Sequence, residues 1–153
     1  MIREEFVIRK ISLIQGDLLK LKELSQFSAD EVMKDFYKLN TLERLMEKIV
    51  VRATDINMHI LAKIENEENP EKNVPPKSYR DTFLQVAKLG VYSEEFAAQI
   101  SKSAGLRNML VHEYNGNFDY NLLYDSLGFC LKDYTNYCNF VLEFMDSRKK
   151  KAF

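Results

Sequence analysis

The chain has 153 residues, the usual size of one domain and enough to bury a hydrophobic core without disulfides or metals. Hydrophobic residues make up 46% of it and charged residues 29%, a balance that excludes an intrinsically disordered chain. The formal net charge of −1 gives no overall attraction to nucleic acid, so any contact with a phosphate backbone has to be local. We expect a single domain spanning residues 1–153.

The cysteine usage and the hydropathy pattern indicate a cellular compartment. Cys130 and Cys138 would lie about 12 Å apart along one helix, too far for a disulfide, so they are predicted to be core thiols in a reducing compartment. The N-terminal residues carry charges throughout, unlike a signal peptide. No apolar run approaches the roughly 20 residues of a membrane span. We therefore expect a cytoplasmic protein with no membrane partner.

The first half of the chain is predicted to form two helices. The first ends at residues 25–28, and its apolar stripe comprises Val7, Ile11, Ile14, Leu18 and Leu21. Ser28 and Glu31 have the form of a capping box and are predicted to open a second, longer helix, with Asn40–Thr41 as a candidate kink or re-capping point. The buried stripe of that helix is predicted to comprise Leu42, Leu45, Ile49, Ala53, Ile56, Ile60 and Ile64.

The second half begins with a loop over residues 65–77, which holds all three prolines. Ser78 is then predicted to cap a short helix that ends at Leu89–Gly90, and Ser93 to open a longer helix that runs to Val111. The last helix starts near Asp119 and ends in cations, and its stripe comprises Leu123, Leu127, Leu131, Tyr134, Cys138, Val141 and Met145. The expected fold is an all-α antiparallel bundle of four long helices and a short one.

The residues best able to carry chemistry are Arg107, His112 and Tyr114, just before the stop signal at residues 115–117. A histidine can move a proton to or from a ribose hydroxyl, and an arginine can grip a phosphate in two places. On an ideal helix Arg107 and His112 are about 140° apart, so either the helix loosens or a symmetry-related copy completes the site. On spacing alone, a packing role for His112 stays open. No carboxylate cluster that would hold Mg²⁺ is present, so we expect a metal-independent site.

Other residues are accessory candidates, each with a plainer alternative. Asp55 and His59 share a helix face and either line the site or make an interhelical hydrogen bond. Arg80 either positions the active-site helix or contacts an RNA phosphate, unless it is a solvated helix start. The cationic tail 148–151 is a backbone-binding candidate or a solvated terminus. An aromatic set could offer stacking platforms or fill the core and a dimer interface: Tyr120, Tyr124, Phe129, Tyr134, Tyr137, Phe140 and Phe144.

The stretch from Arg107 to Tyr114 resembles the signature of HEPN ribonucleases, an arginine and a histidine separated by four to six residues. More narrowly it is similar to the HepT-like toxins, because Tyr114 follows His112 by two and Asn108 follows the arginine. The resemblance extends over nearly the whole chain and includes residues 55–60, 79–83 and 89–91.

This resemblance implies a HEPN helical bundle that forms a homodimer, with the two motifs facing a shared cleft. It implies metal-independent, cofactor-free endonucleolytic cleavage of RNA that leaves a 2′,3′-cyclic phosphate. Arg107 and His112 would be catalytic and Asn108 orienting. It also implies a type VII-like toxin, neutralised by a minimal nucleotidyltransferase (MntA-like) antitoxin that attaches AMP to Tyr114.

Two questions stay open at this point. The RNA substrate is tRNA or mRNA, and nothing in the sequence chooses between them. The alternatives to a nuclease are a non-catalytic HEPN module that binds a nucleotidyltransferase, and a purely structural bundle whose motif residues pack.

Overall fold

The structure is a computed structural model that describes residues 2–65, 75–105 and 120–151. The regular elements in these ranges are helical, which confirms the predicted all-α class. The α-helices are α1 (Glu4–Leu24), α2 (Ala29–Lys34), α3 (Phe36–Ile60), α4 (Tyr79–Lys88), α5 (Glu94–Ile100) and α6 (Tyr120–Lys151). A π-helical turn, Leu61–Glu65, extends α3, and residues 102–105 are helical.

The three long helices, α1, α3 and α6, pack against one another and build most of the core. Contacts between α1 and α3 run in opposite directions along the chain, since Lys10 meets Asp55 and Asp17 meets Lys48. α6 is also antiparallel to α1, because its C-terminal Lys149 pairs with Glu4 at 2.7 Å. The predicted antiparallel arrangement is therefore confirmed for α1 against α3 and for α1 against α6.

The predicted apolar stripes are the faces that the helices bury. Every residue of the stripes predicted for the first and second helices is at most 7% exposed. The stripe of α6 is buried as well, except that Leu131 is only partly buried. Cys130 and Cys138 are buried free thiols, as expected for core cysteines, and burial raises the pKa of each to about 12.

The second predicted helix is divided at a different place from the one expected. Ser28 caps α2 by accepting from the Glu31 amide at 3.1 Å, which confirms the capping prediction. The new start is Asp35, whose carboxylate accepts from the amides of Tyr37 and Lys38 and caps α3. No new helix start forms at Asn40–Thr41, because both residues lie within α3, where the Asn40 side-chain amide donates to the Phe36 carbonyl at 2.6 Å.

The predicted helix from Ser93 to Val111 is interrupted within the described residues. Ser93 caps α5 as expected, accepting from the Phe96 amide at 3.1 Å. A turn at Ser101 then ends α5 at Ile100. The hydroxyl of Ser101 donates to the Ala98 carbonyl at 3.0 Å, and such bonds compete with the helical amides for the same acceptors. Residues 106–111 lie outside the described part of the chain.

Short helix α4 is confirmed as predicted. Ser78 accepts from the Asp81 amide at 3.1 Å, and the helix ends before Gly90, whose φ of 92° is a conformation that L side chains rarely adopt. The loop predicted for residues 65–77 is described only from residue 75 onwards and at its first residue. Among the described residues, none of the helices combines the length and apolarity that a membrane span requires.

Candidate active site

The four motif residues, Arg107, Asn108, His112 and Tyr114, lie outside the described residues. Their catalytic, orienting and modification roles therefore stay predictions. The structure does describe both flanks of this segment, namely helical residues 102–105 before it and α6 after it. The positions of these two flanks fix where the chain enters and leaves the motif segment.

The flank before the motif is held by a hydroxyl relay. Ser103 donates its proton to the Ile100 carbonyl at 2.6 Å. Its oxygen lies 2.6 Å from the Tyr134 hydroxyl, so Tyr134 is the donor in that bond. Tyr134 is completely buried, and burial raises the pKa of its phenol well above the ordinary value, which keeps the donor protonated. Ala104, next to Ser103, is buried as well. The residues directly before the motif are therefore anchored against α6.

The flank after the motif is held by contacts of the first turns of α6. Leu123 is fully buried, and Leu127 is 3% exposed. The Tyr124 hydroxyl donates to the carbonyl of Phe27, between α1 and α2, in a short hydrogen bond. The segment that carries the motif is therefore bracketed by two points that are both tied to the core.

A buried polar network joins α3, α4 and α6. The Tyr137 hydroxyl donates to the side-chain oxygen of Asn57 at 2.6 Å and also lies 3.0 Å from the Ala53 carbonyl. Asn57 in turn donates to the Thr82 hydroxyl at 3.1 Å. Asn57, Thr82 and Tyr137 are at most 1% exposed, so these bonds replace water that the groups have lost. The sequence analysis did not predict this network. The available signal was Asn57, a polar residue at a position that falls among the apolar stripe of α3.

Asp55 and His59 lie on the side of α3 that faces α1. Asp55 forms an ion pair with Lys10 at 3.1 Å. The Nε2 atom of His59 accepts from the backbone amide of Arg3 at 2.9 Å, and its ring lies 4.8 Å from the ring of Phe6. These contacts agree with the simpler of the two interpretations, in which the pair joins neighbouring helices. They do not test whether Asp55 and His59 also line the active site, so that accessory role stays a prediction.

The His59 imidazole is held in its neutral form. Burial lowers its pKa, and the positive charges of Lys63 and Arg3 lower it further. A neutral ring is also what the Arg3 amide requires, because a protonated Nε2 has no lone pair to accept its hydrogen.

We expect the protein to lose stability as the pH falls from about 7.5 to about 5.5. The folded His59 has a lower pKa than the unfolded residue, near 6.5, so the unfolded chain binds the proton more tightly and acid favours unfolding. Urea denaturation at the two pH values measures the loss. In His59→Gln the loss should be smaller; an equal loss in the two proteins would contradict this assignment.

Arg80 is exposed in the first turn of α4, directly after the Ser78 cap. Its neighbour Asp81 has a structural task, since its carboxylate accepts from the Lys77 amide at 3.0 Å and from Gln85 at 2.7 Å. The helix start is thus stabilised without Arg80, whose side chain is presented to solvent. Its predicted role in positioning or phosphate contact stays a prediction.

Comparison with known proteins assigns this chain to a family. The sequence model of the family described as "Ribonuclease HepT-like" matches residues 14–141. The "tRNA nuclease HepT" of Aphanizomenon flos-aquae is 35% identical over 130 residues, which cover 84% of this chain and 82% of the relative. The "mRNA nuclease HepT" of Shewanella oneidensis is 28% identical over 114 residues, which cover 72% of this chain and 77% of the relative.

Solved structures agree in fold. A tri-AMPylated Shewanella oneidensis HEPN toxin in complex with MNT antitoxin superposes with a TM-score of 0.79 at 18% identity, covering 92% of this chain and 99% of that one. A toxin–antitoxin structure with AMP-PNP gives a TM-score of 0.78 at 18% identity, with the same coverage. The HEPN helical bundle predicted from the sequence is thereby confirmed. With the family match over residues 14–141 and 35% identity across most of both chains, the protein belongs to the HepT-like ribonuclease family.

Proposed function

We propose that this chain is the RNA-cleaving toxin of a toxin–antitoxin pair, with Arg107 and His112 as its catalytic residues. The observation that carries the proposal is the 35% identity with a tRNA nuclease over 130 residues, together with a complete motif inside the matched range 14–141. The relatives named above act on tRNA in one case and on mRNA in the other, so both RNA classes are candidate substrates.

The proposed reaction is a transesterification within the RNA. His112 takes the proton from a ribose 2′-OH, and the 2′ oxygen attacks the adjacent phosphorus. The bond from phosphorus to the 5′ oxygen breaks, and the leaving oxygen receives a proton. The products are a 2′,3′-cyclic phosphate and a 5′-hydroxyl. Arg107 binds the phosphate oxygens and stabilises the charge that builds on them, while Asn108 orients the neighbouring groups.

The proposed active species is a homodimer in which two motifs share one cleft. On one regular helix Arg107 and His112 are about 140° apart, so a second copy is the simplest way to bring both groups to one phosphate. Sedimentation at micromolar concentration should give the mass of a dimer. No step of the reaction uses a metal ion, so cleavage should persist in EDTA.

The test in cells compares the wild-type chain with Arg107→Ala and His112→Ala, each induced alone, with total RNA run on a gel. The proposal expects that only the wild type stops growth and fragments RNA. Equal growth with intact RNA in all three strains would contradict nuclease activity and favour a HEPN module that binds a nucleotidyltransferase without cutting RNA.

The proposed control of the toxin is AMP transfer to Tyr114 by a nucleotidyltransferase antitoxin. Support comes from the similar fold of a tri-AMPylated HEPN toxin in complex with its MNT antitoxin. The physical reason is charge: AMP groups beside Arg107 would occupy the phosphate site and repel RNA.

With a cognate antitoxin and ATP, we expect the mass of the chain to rise by whole AMP units, with the first on Tyr114. Peptide mass spectrometry locates the modification, and RNA cleavage should fall as the mass rises. Tyr114→Phe should remain unmodified and should escape inhibition. Unchanged AMPylation of Tyr114→Phe on a neighbouring residue would refute the assignment.

A further inference from the structure

A small groove lies between the residues that precede the motif and the middle of α6. Its volume is about 240 Å³, and its walls include Gln99, Lys102, Ser103, Phe129, Asp133 and Tyr134. The hydroxyl relay between Ser103 and Tyr134 forms part of its wall, so the groove is rigid on that side. It is separate from the Asn57 network, and none of the roles assigned above uses it.

We propose that this groove binds one unpaired nucleobase of the RNA substrate, stacked on Phe129 and hydrogen-bonded to Asp133. The proposal rests on the ribonuclease function proposed above and adds to it a subsite that reads a base beside the cleavage site. The groove has the size of a single ring system. A stable interface with another protein covers about 800 Å² on each partner, far more than this groove offers.

The stacking surface is Phe129. Its side chain is 61% exposed on α6, although the next residue, Cys130, is buried in the core. An exposed phenyl ring is costly in water and offers a flat face on which any base can stack. Tyr134, five residues further along α6, is fully buried and lines the groove.

The hydrogen-bonding group is Asp133. Burial raises the pKa of its carboxyl, while the Gln99 side chain and the positive charges of Lys132 and Lys102 lower it. A carboxylate has about four lone-pair sites, which can accept hydrogen bonds from the N–H groups of a base. Lys102 is exposed at the same groove and supplies a cation for the phosphate of that nucleotide.

The position along the chain ties the groove to the motif. Arg107 follows Ser103 by four positions, so in any conformation their Cα atoms are at most about 14 Å apart. A nucleotide held in the groove therefore lies within reach of the same short stretch of RNA that Arg107 would bind. The subsite is placed to select which phosphate is cut.

The test measures RNA binding in His112→Ala, which separates binding from cleavage. Fluorescence anisotropy with short single-stranded RNA gives Kd for this parent and for variants built on it. Phe129→Ala should raise Kd by about 5- to 150-fold, since stacking on an aromatic ring contributes about 1–3 kcal/mol per base. Phe129→Tyr should keep the Kd of the parent, because it retains the aromatic ring. Asp133→Asn should reduce the differences in Kd among RNAs that differ at one base.

The matched control is Phe36→Ala, which removes a phenylalanine that is 72% exposed on α3, away from the groove. It should leave Kd unchanged. The proposal is overturned if Phe129→Ala binds like its parent, if Phe36→Ala weakens binding equally, or if the parent does not bind single-stranded RNA. It is also overturned if Phe129→Ala only dissociates the dimer in sedimentation, which would make the groove an interface between copies.

Failure of the ribonuclease proposal is distinguishable from failure of the subsite. A wild-type chain that never cleaves RNA but binds it in a Phe129-dependent way would refute the nuclease and retain the subsite. A wild-type chain that cleaves RNA while Phe129→Ala keeps the Kd of its parent would retain the nuclease and refute the subsite.

Discussion

His112→Ala is expected to slow RNA cleavage by the purified chain by about 10²- to 10⁴-fold, the usual contribution of a general acid–base group. Alanine cannot take the proton of the 2′-OH or return one to the leaving oxygen, while Arg107 still binds the phosphate. Single-turnover cleavage of labelled RNA measures the rate. The variant should retain RNA binding, because the imidazole acts on protons and contributes little to the affinity.

The stability of His112→Ala separates a catalytic from a packing role. A histidine that packs against the bundle should cost about 1 kcal/mol or more of unfolding free energy when it is truncated. A catalytic histidine should cost little, since functional side chains are selected for activity at the expense of stability. Unchanged cleavage in a stable His112→Ala protein would remove His112 from the mechanism.

The second large effect is expected at Tyr137, which lies at the centre of the core. Tyr137→Ala should lower the free energy of unfolding by about 3–5 kcal/mol, because it opens a cavity against Phe83 and Tyr134 and removes the donor to Asn57. A domain of this size has only about 5–15 kcal/mol in total, so the loss is a large share. Urea denaturation measures it.

Two companion variants isolate the causes. Tyr37→Ala makes the same truncation at a side chain that is 80% exposed and should change stability by less than about 0.5 kcal/mol. Tyr137→Phe keeps the ring but leaves the buried oxygen of Asn57 without its donor, so we expect a loss of about 1–3 kcal/mol. If Tyr137→Ala were as stable as Tyr37→Ala, the proposed centre of the core would be wrong.

The helices were predictable because their signals are local. Stripes such as Ile49, Ala53 and Ile56 follow from helical periodicity, and Ser28 and Ser78 act on amides three residues away. The division at Asp35 was missed because apolar residues continue on both sides of it. The available signal was an aspartate that can accept from the amides two and three residues further along.

The tertiary partners of polar side chains were not predictable. The bond from Tyr137 to Asn57 joins residues 80 positions apart, and the bond from Arg3 to His59 joins residues 56 apart. Spacing could place Asp55 and His59 on one face, but not say that α1 covers that face. The motif is a similar case: periodicity alone put Arg107 and His112 about 140° apart, and only the family resemblance assigned them to one site.

The most direct test of the nuclease site is RNA cleavage by the purified wild-type chain in EDTA, beside Arg107→Ala and Arg44→Ala. Arg44 is an exposed arginine on α3 whose pair with Glu47 spans 3.6 Å, so Arg44→Ala should cut RNA at the wild-type rate. The account predicts cleavage by the wild type and Arg44→Ala, ends carrying a 2′,3′-cyclic phosphate, and intact RNA with Arg107→Ala. Intact tRNA and mRNA with a folded wild-type dimer, or equal cleavage by all three chains, would contradict it.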